Sequence, residues 1–174
     1  LVVNEEKSKV ARTHQVKFLG FTIMQGTIVI ARKSMQKAMI KIKELTLRGT
    51  SQTLEDTIKT INRWYRGWSA YFSVAQYPSQ FSALEAHMRR RLRSRIIAQQ
   101  KNRRNLFNLL KKRGVPRRKA AEVYSNRGRW AMSHLRSVES AFPNKWFSNQ
   151  KGLFVRSTEK HEHWLCRKEW PVLT

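Results

Sequence analysis

Acidic side chains are scarce in this sequence. Against 36 lysines and arginines stand 11 aspartates and glutamates, a formal net charge of +25. A chain so one-sided repels itself unless it lies against a polyanion, and nucleic acid and an anionic membrane surface are the two candidates. Cysteine is nearly absent: Cys166 stands alone, which excludes an internal disulfide and fits a reducing compartment. No run of about 18 apolar residues is present to span a bilayer, and no signal-peptide pattern opens the sequence. Basic residues surround the helical stretches rather than lining one clean face, which argues against a membrane-surface helix. No Asp-Asp pair, Gly-rich phosphate loop or Gly-x-Ser-x-Gly elbow occurs, so two-metal, nucleotide-loop and nucleophile-elbow chemistry have no anchor here.

What is present divides into a short β piece and a longer helical one. Residues 1–31 read as β structure, with "VKFLGFTI", "MQGT" and "IVIA" as strand, Gly-containing turn and strand. On the first arm Leu19, Phe21 and Ile23 share one face, and Phe18, Gly20 and Thr22 the other. A ring on each face predicts an arm covered on both sides, with Gly20 at a close backbone approach or bulge. In isolation these strands would leave unpaired edges. Leu1 leads directly into strand-like sequence, so the chain is expected to be a piece of a longer protein.

From Ser34 the period becomes helical, with Met35, Met39, Ile42 and Leu45 on one stripe and Gly49 as a stop. Thr53 is the expected N-cap of a second helix carrying Leu54, Ile58, Ile61, Tyr65, Trp68 and Phe72. Pro78 is expected to close it and Ser79 to cap a third, with the stripe Phe81, Leu84, Met88, Leu92 and Ile96. A further helix contains Leu106, Phe107 and Leu110 and ends at Gly114 and Pro116. Beyond Asn126 the sequence reads as irregular. The expected class is α+β: a small N-terminal hairpin followed by a bundle of three or four helices.

Between Glu85 and Glu122 there is no acidic residue, while fourteen lysines and arginines occupy the interval. A solvated helix face normally mixes signs, so the missing anion is expected from a partner. The stretch "RWYRGWSAYF", Arg63 to Phe72, repeats the theme at short range. On a helix Trp64, Tyr65, Trp68 and Phe72 form an apolar stripe and pack inward. Tyr71 lies at its edge, placed to stack on a base. Lys59, Arg63, Arg66 and Gly67 lie opposite. A helical glycine costs about 1 kcal/mol relative to alanine, and clearance for a phosphodiester backbone is a reason to keep one.

"RWYRGWSAYF" resembles the signature of the maturase-specific region, also called domain X or the thumb, of group II intron reverse transcriptases. "LVVNEEKSKV" is similar to that family's late palm motif, "VKFLGFTI" to the motif whose "FLGF" core forms the primer grip, and "RGRWAMSHLRSVESAFPNKWF" with "KGL" to the end of domain X in bacterial members. The likeness covers nearly residues 1–155, with the motifs in order. It implies a palm remnant with a primer-grip hairpin over 1–33, the thumb over 34–155 and a tail over 156–174. It implies a primer grip of Lys7, Phe18, Leu19, Gly20 and Phe21. It also implies partners: group II intron RNA, template-primer RNA or DNA, and the fingers and palm of the same polypeptide, with no membrane, in a bacterial cytoplasmic ribonucleoprotein. For RNA contact the expected residues are Lys59, Arg63, Arg66, Gly67, Tyr71, Arg89, Arg90, Arg93, Arg103, Arg104, Lys111, Lys112, Arg117, Arg118, Arg127 and Arg129. The parent polymerase would need Mg2+ on a Tyr-x-Asp-Asp pair upstream of Leu1. No cofactor and no catalytic residue is expected within this chain, and no polymerase activity from it alone.

His161, His163 and Cys166 form H-x-H-x2-C, but a structural zinc site needs a fourth ligand and no second cysteine exists. Ser133 and His134 are adjacent and point apart, which excludes a triad. Two other classes stay open from sequence: a stand-alone RNA-folding protein with no polymerase role, and a duplex-DNA regulator, which would lack a helix-turn-helix signature.

Overall fold

The computed structural model describes residues 17–24, 26–126 and 128–156. Its β part is a three-stranded antiparallel sheet, β1 (Lys17–Phe18), β2 (Phe21–Met24) and β3 (Thr27–Ile30), in the order β1-β2-β3. The expected first arm is therefore two strands. Phe18 pairs with Phe21, so Leu19 and Gly20 alone make the turn. Both have positive φ, 48° and 85°, the signature of a type I′ hairpin turn. The expectation of an arm covered on both sides fails at this tip, where Phe18 is 71% exposed and Leu19 64%. The close approach at Gly20 is present: a Cβ there would lie 3.0 Å from Ser34 Oγ and 3.3 Å from the Phe72 ring. The Gly20 carbonyl accepts from Ala31 N (2.8 Å) and Ser34 Oγ (3.1 Å).

The free edge of β3 is not left open. The Gln80 amide pairs with Ile30 as a strand would, its Oε1 accepting from Ile30 N (2.8 Å) and its Nε2 donating to the Ile30 carbonyl (2.9 Å). Gln76 does the same for Ile28, accepting through Oε1 at 3.1 Å and donating through its backbone N at 2.8 Å. The Gln80 side chain and the Gln76 side chain and backbone N thus occupy the positions an adjoining strand would fill.

Four longer helices follow: α1 (Arg32–Leu45), α2 (Leu54–Tyr71), α3 (Pro78–Gln99) and α4 (Arg103–Lys112). Thr53 caps α2, accepting from Asp56 N at 3.1 Å. Pro78 opens α3 rather than closing α2, at the first-turn position where its missing N–H costs nothing. The cap position belongs to Tyr77, not Ser79. Past Asn126 the chain is more ordered than its sequence suggests. Beyond α4 lie α5 (Arg117–Ala120), α6 (Glu122–Ser125), α7 (Arg129–Met132), α8 (Arg136–Ala141) and a π-helical turn, Trp146–Gln150.

The apolar stripes meet in one core. Ile42, Ile58, Ile61, Tyr65, Leu84, Met88, Leu92, Leu106 and Leu110 are all buried in it, with Val138, Phe142 and Phe147 added by the later segments. Trp68 connects this core to a smaller cluster of Ile30, Phe72, Ala75 and Phe81 under the sheet. Its ring centroid lies 4.7 Å from Phe72 and 5.8 Å from Phe81.

Every residue of α3 from Arg91 to Ile97 is buried, three arginines included. Arg91 reaches the C-terminus of α1, donating from Nε to Thr46 Oγ1 (2.9 Å) and from Nη2 to the Lys43 and Thr46 carbonyls (3.3 Å each). Helix ends leave such carbonyls without intrahelical partners, and the dipole there favours a cation. Arg95, 1% exposed, ties down the connection to α2 by donating to the carbonyls of Leu47 (2.6 Å) and Gln52. Arg93 points the other way, to the Phe142 carbonyl (3.0 Å), Asn144 Oδ1 (2.9 Å) and Glu139 Oε1 (3.5 Å).

A strap of residues 151–156 closes the fold across α2 and α3. Asn62 donates to the Gly152 carbonyl (2.7 Å) and accepts from Phe154 N (2.8 Å). Buried Glu85 accepts from Tyr65 Oη (2.8 Å) and Arg156 N (2.7 Å). The Arg156 guanidinium donates to the Ser69 carbonyl and lies 4.5 Å from the Phe81 centroid.

Arg95→Met should lower stability by about 2–3 kcal/mol, since two carbonyls lose charged donors, whereas Arg104→Met on the exposed face should change it by less than about 0.5 kcal/mol. Urea denaturation of the three proteins checks this. Burial, and next the Glu85 carboxylate, push the Tyr65 phenol above its ordinary pKa of 10.0. A group whose pKa is raised by folding gives stability that is complete below its unfolded pKa and lost as pH climbs past it. Stability should therefore fall above about pH 10, and Tyr65→Phe should flatten that slope while costing about 1–3 kcal/mol near neutrality. Urea midpoints measured from neutral to alkaline pH would show both effects.

Candidate nucleic-acid interface

Burial separates the cations into two populations. Arg91, Arg93 and Arg95 are bonded into the fold, and loss of hydration lowers the pKa of each guanidinium. Two consequences correct the sequence reading. The acid-free interval is in part compensated from within, chiefly by backbone carbonyls, with Glu139 beside Arg93 and Glu85 beside Arg89 as carboxylate partners. Arg93, expected at an RNA surface, is 6% exposed and committed to the 139–144 segment. Arg113 is tied down differently, its guanidinium 4.4 Å and 4.5 Å from the Phe142 and Trp146 ring centroids.

The second population is exposed. On α2, Lys59, Arg63, Arg66 and Gly67 all face solvent, opposite the buried Ile58, Ile61 and Tyr65. A Cβ at Gly67 would meet nothing within 4 Å, so the clearance it provides serves no contact among the described residues. Arg66 lies over the Phe154 ring at 5.1 Å, and Lys59 has Asp56 at 3.8 Å. On the packed pair α4 and α5, Arg103, Arg104, Lys111, Lys112, Arg117 and Arg118 are exposed, as is Arg129 at the start of α7. Among the described residues no carboxylate pairs with Arg63, Arg66 or these seven.

Tyr71 is 54% exposed, but its hydroxyl donates to the Leu19 carbonyl (2.9 Å) and its ring lies 6.0 Å from that of Phe21. It therefore holds the hairpin tip while leaving part of its face open. The expected primer-grip residues Phe18, Leu19, Gly20 and Phe21 form that tip. Phe21 is half-buried against Phe72 at 5.1 Å. Lys7, Arg127 and the His161, His163 and Cys166 group lie outside the described residues. Among those described, no cluster of His, Cys, Asp or Glu has metal-binding geometry, and no helix is long and apolar enough to cross a membrane.

Arg89 and Arg90 are half-buried and line a second, mixed cleft with His87, His134, Glu139 and Asn144. Arg90 stacks on Trp130 at 4.1 Å, while Arg89 has Glu85 at 3.9 Å. Burial, then the Arg91 and Arg90 charges, push the His87 imidazole below its ordinary pKa. His134 Nδ1 lies 3.5 Å from Glu139. Sequence reasoning passed over Lys101 and Tyr124 as site residues. The signal for Lys101 is visible afterwards: it occupies a helix-stop position, with φ 51°, where glycine or asparagine is the usual choice.

No curated protein matches the chain. Residues 35–114, from the first turn of α1 to the Gly114 stop after α4, match the family model described as group II intron, maturase-specific domain, and that stretch is consistent with the C-terminal part of a group II intron maturase.

Proposed function

We propose that this chain binds the folded RNA of a group II intron through the exposed cations of α2, α4, α5 and α7, and so promotes the intron's splicing. The observation that carries the proposal is the sorting of charge. The buried arginines are bonded within the fold, chiefly to backbone carbonyls, while Arg63, Arg66, Arg103, Arg104, Lys111, Lys112, Arg117, Arg118 and Arg129 are exposed with no carboxylate partner among the described residues. Cations arranged in this way gain free energy by displacing counterions from phosphates. The partner is RNA by this reading because the matched domain belongs to intron maturases, and phosphates position such complexes while RNA shape selects them.

The finer division of labour follows the same reading. Residues 34–155 act as the thumb of a reverse transcriptase, gripping template-primer, with 1–33 as the end of its palm and 156–174 as a tail. The exposed Phe18 and Leu19 tip, braced by Tyr71, serves as the primer grip with Lys7. Chemistry is supplied by an Mg2+-holding aspartate pair in a preceding fingers and palm segment, so the chain by itself binds rather than polymerises. The working location is a ribonucleoprotein in the bacterial cytoplasm.

Binding of a structured group II intron transcript by the full chain, titrated across salt concentrations, tests the proposal. Log affinity should fall steeply with log salt, and Arg63→Glu with Arg66→Glu should weaken binding about tenfold or more and make the slope shallower by about 1–2. Equal affinity and an equal slope for the double variant, or equal preference for duplex DNA at fixed salt, would overturn it.

A further inference from the structure

Where α3 passes into α4, the chain makes its turn in three residues, Gln100, Lys101 and Asn102, with Asn102 capping α4 by accepting from Asn105 N at 2.8 Å. This turn forms one wall of a cleft of about 250 Å³. Its floor is apolar, made by Ile97, Leu106 and Met132, and its rim is cationic, made by Lys101, Arg103 and Arg129. Among the described residues no carboxylate lines it. Lys101 holds a left-handed backbone, which disfavours any residue with a Cβ. A long cation kept where glycine or asparagine would be strain-free is the sort of outlier that accompanies a function. Beside the rim, Arg103 donates to the Tyr124 carbonyl at 2.9 Å. The Tyr124 ring is 46% exposed and braced by Phe107 at 5.6 Å.

We propose that this cleft takes one unpaired nucleotide of the bound RNA, the base on the apolar floor or against Tyr124 and the flanking phosphates on Lys101, Arg103 and Arg129. A simple anion site would have no use for Ile97, Leu106 and Met132. A continuous duplex can lay phosphates on the rim, but its bases stay stacked and never reach the floor. An unstacked nucleotide uses both features, because every base has an apolar face and each carries its phosphate alongside. The inference rests on the RNA-binding reading and adds to it a selection for single-stranded loops or bulges.

The full chain is titrated calorimetrically with AMP and with inorganic phosphate. Its affinities for a short unpaired RNA carrying 2-aminopurine and for an RNA hairpin duplex are measured by fluorescence. The variant is Lys101→Asn with Tyr124→Ala, which removes the stacking ring while leaving Arg103 and Arg129 on the rim; asparagine tolerates the left-handed backbone and both positions are exposed. AMP should bind at least about tenfold more tightly than phosphate, and the variant should lose about tenfold for the unpaired RNA but less than about twofold for the duplex, with its melting temperature unchanged. Phosphate binding as well as AMP would mean an anion site only and would overturn the proposal, as would parallel losses for both RNAs. AMP selectivity in a chain that ignores intron transcripts would sustain the cleft and sink the intron reading. Transcript binding without AMP selectivity would sink the cleft alone.

Discussion

The fold depends on guanidinium groups bonded to backbone carbonyls. In a chain with so few carboxylates, the long central helix cannot bury its arginines by ion pairing alone, Glu139 beside Arg93 being the one carboxylate that Arg91, Arg93 and Arg95 find among the described residues, and an isolated buried charge is prohibitively costly. Helix ends and tight connections offer an alternative acceptor. Arg91 takes the Lys43 and Thr46 carbonyls at the C-terminus of α1, and Arg95 takes the Leu47 and Gln52 carbonyls of the α1–α2 connection. Arg93 does likewise for Phe142. Three side chains on two sides of α3 thereby fix how α1, the connection to α2 and the 139–144 segment sit around it. Such bonds are directional, whereas the apolar core would tolerate small slips.

This arrangement also explains why the exposed surface can remain so basic. Because internal cohesion draws little on surface ion pairs, Lys151 with Glu55 at the start of α2 being one of the few, most of the outer faces of α2, α4 and α5 is free of the requirement to alternate signs. Self-repulsion remains as a cost of the uncancelled charge, and a bound polyanion relieves it. Binding and stability are then coupled: a ligand that meets only the folded chain stabilises it by mass action.

Much of the helical architecture was legible because it is written in period and punctuation. Phe81, Leu84, Met88, Leu92 and Ile96 announce α3, and Thr53 followed by acidic residues announces α2. Pro78 misled because the same residue that ends one helix is favoured at the start of another. The Leu19–Gly20 turn escaped because leucine is rarely asked to take a positive φ. The short helices after Asn126 are too brief to show a period and exist through tertiary packing. Among the expected site residues, those on α2 and α4 could be assigned to an exposed face because an apolar stripe defined the opposite one. Arg93 could not, since nothing local distinguishes it from Arg103. What separates them is the Phe142 carbonyl, some fifty residues away in the chain.

The strap of residues 151–156 carries that point further. Asn62, Glu85 and Tyr65 lie within or beside apolar stripes, where a polar side chain looks like noise. Asn62 and Glu85 each bond a segment some seventy to ninety residues later, while Tyr65 bonds Glu85 and sets its ring 5.9 Å from that of Phe154. The strap in turn sets Phe154 under Arg66 and Arg156 beside Phe81. One exposed arginine of α2 is thereby braced by the same segment that seals the core behind it. A change at buried Glu85 should consequently be felt on the basic face of α2, because Tyr65, the strap and the Arg66 platform share it as a common support.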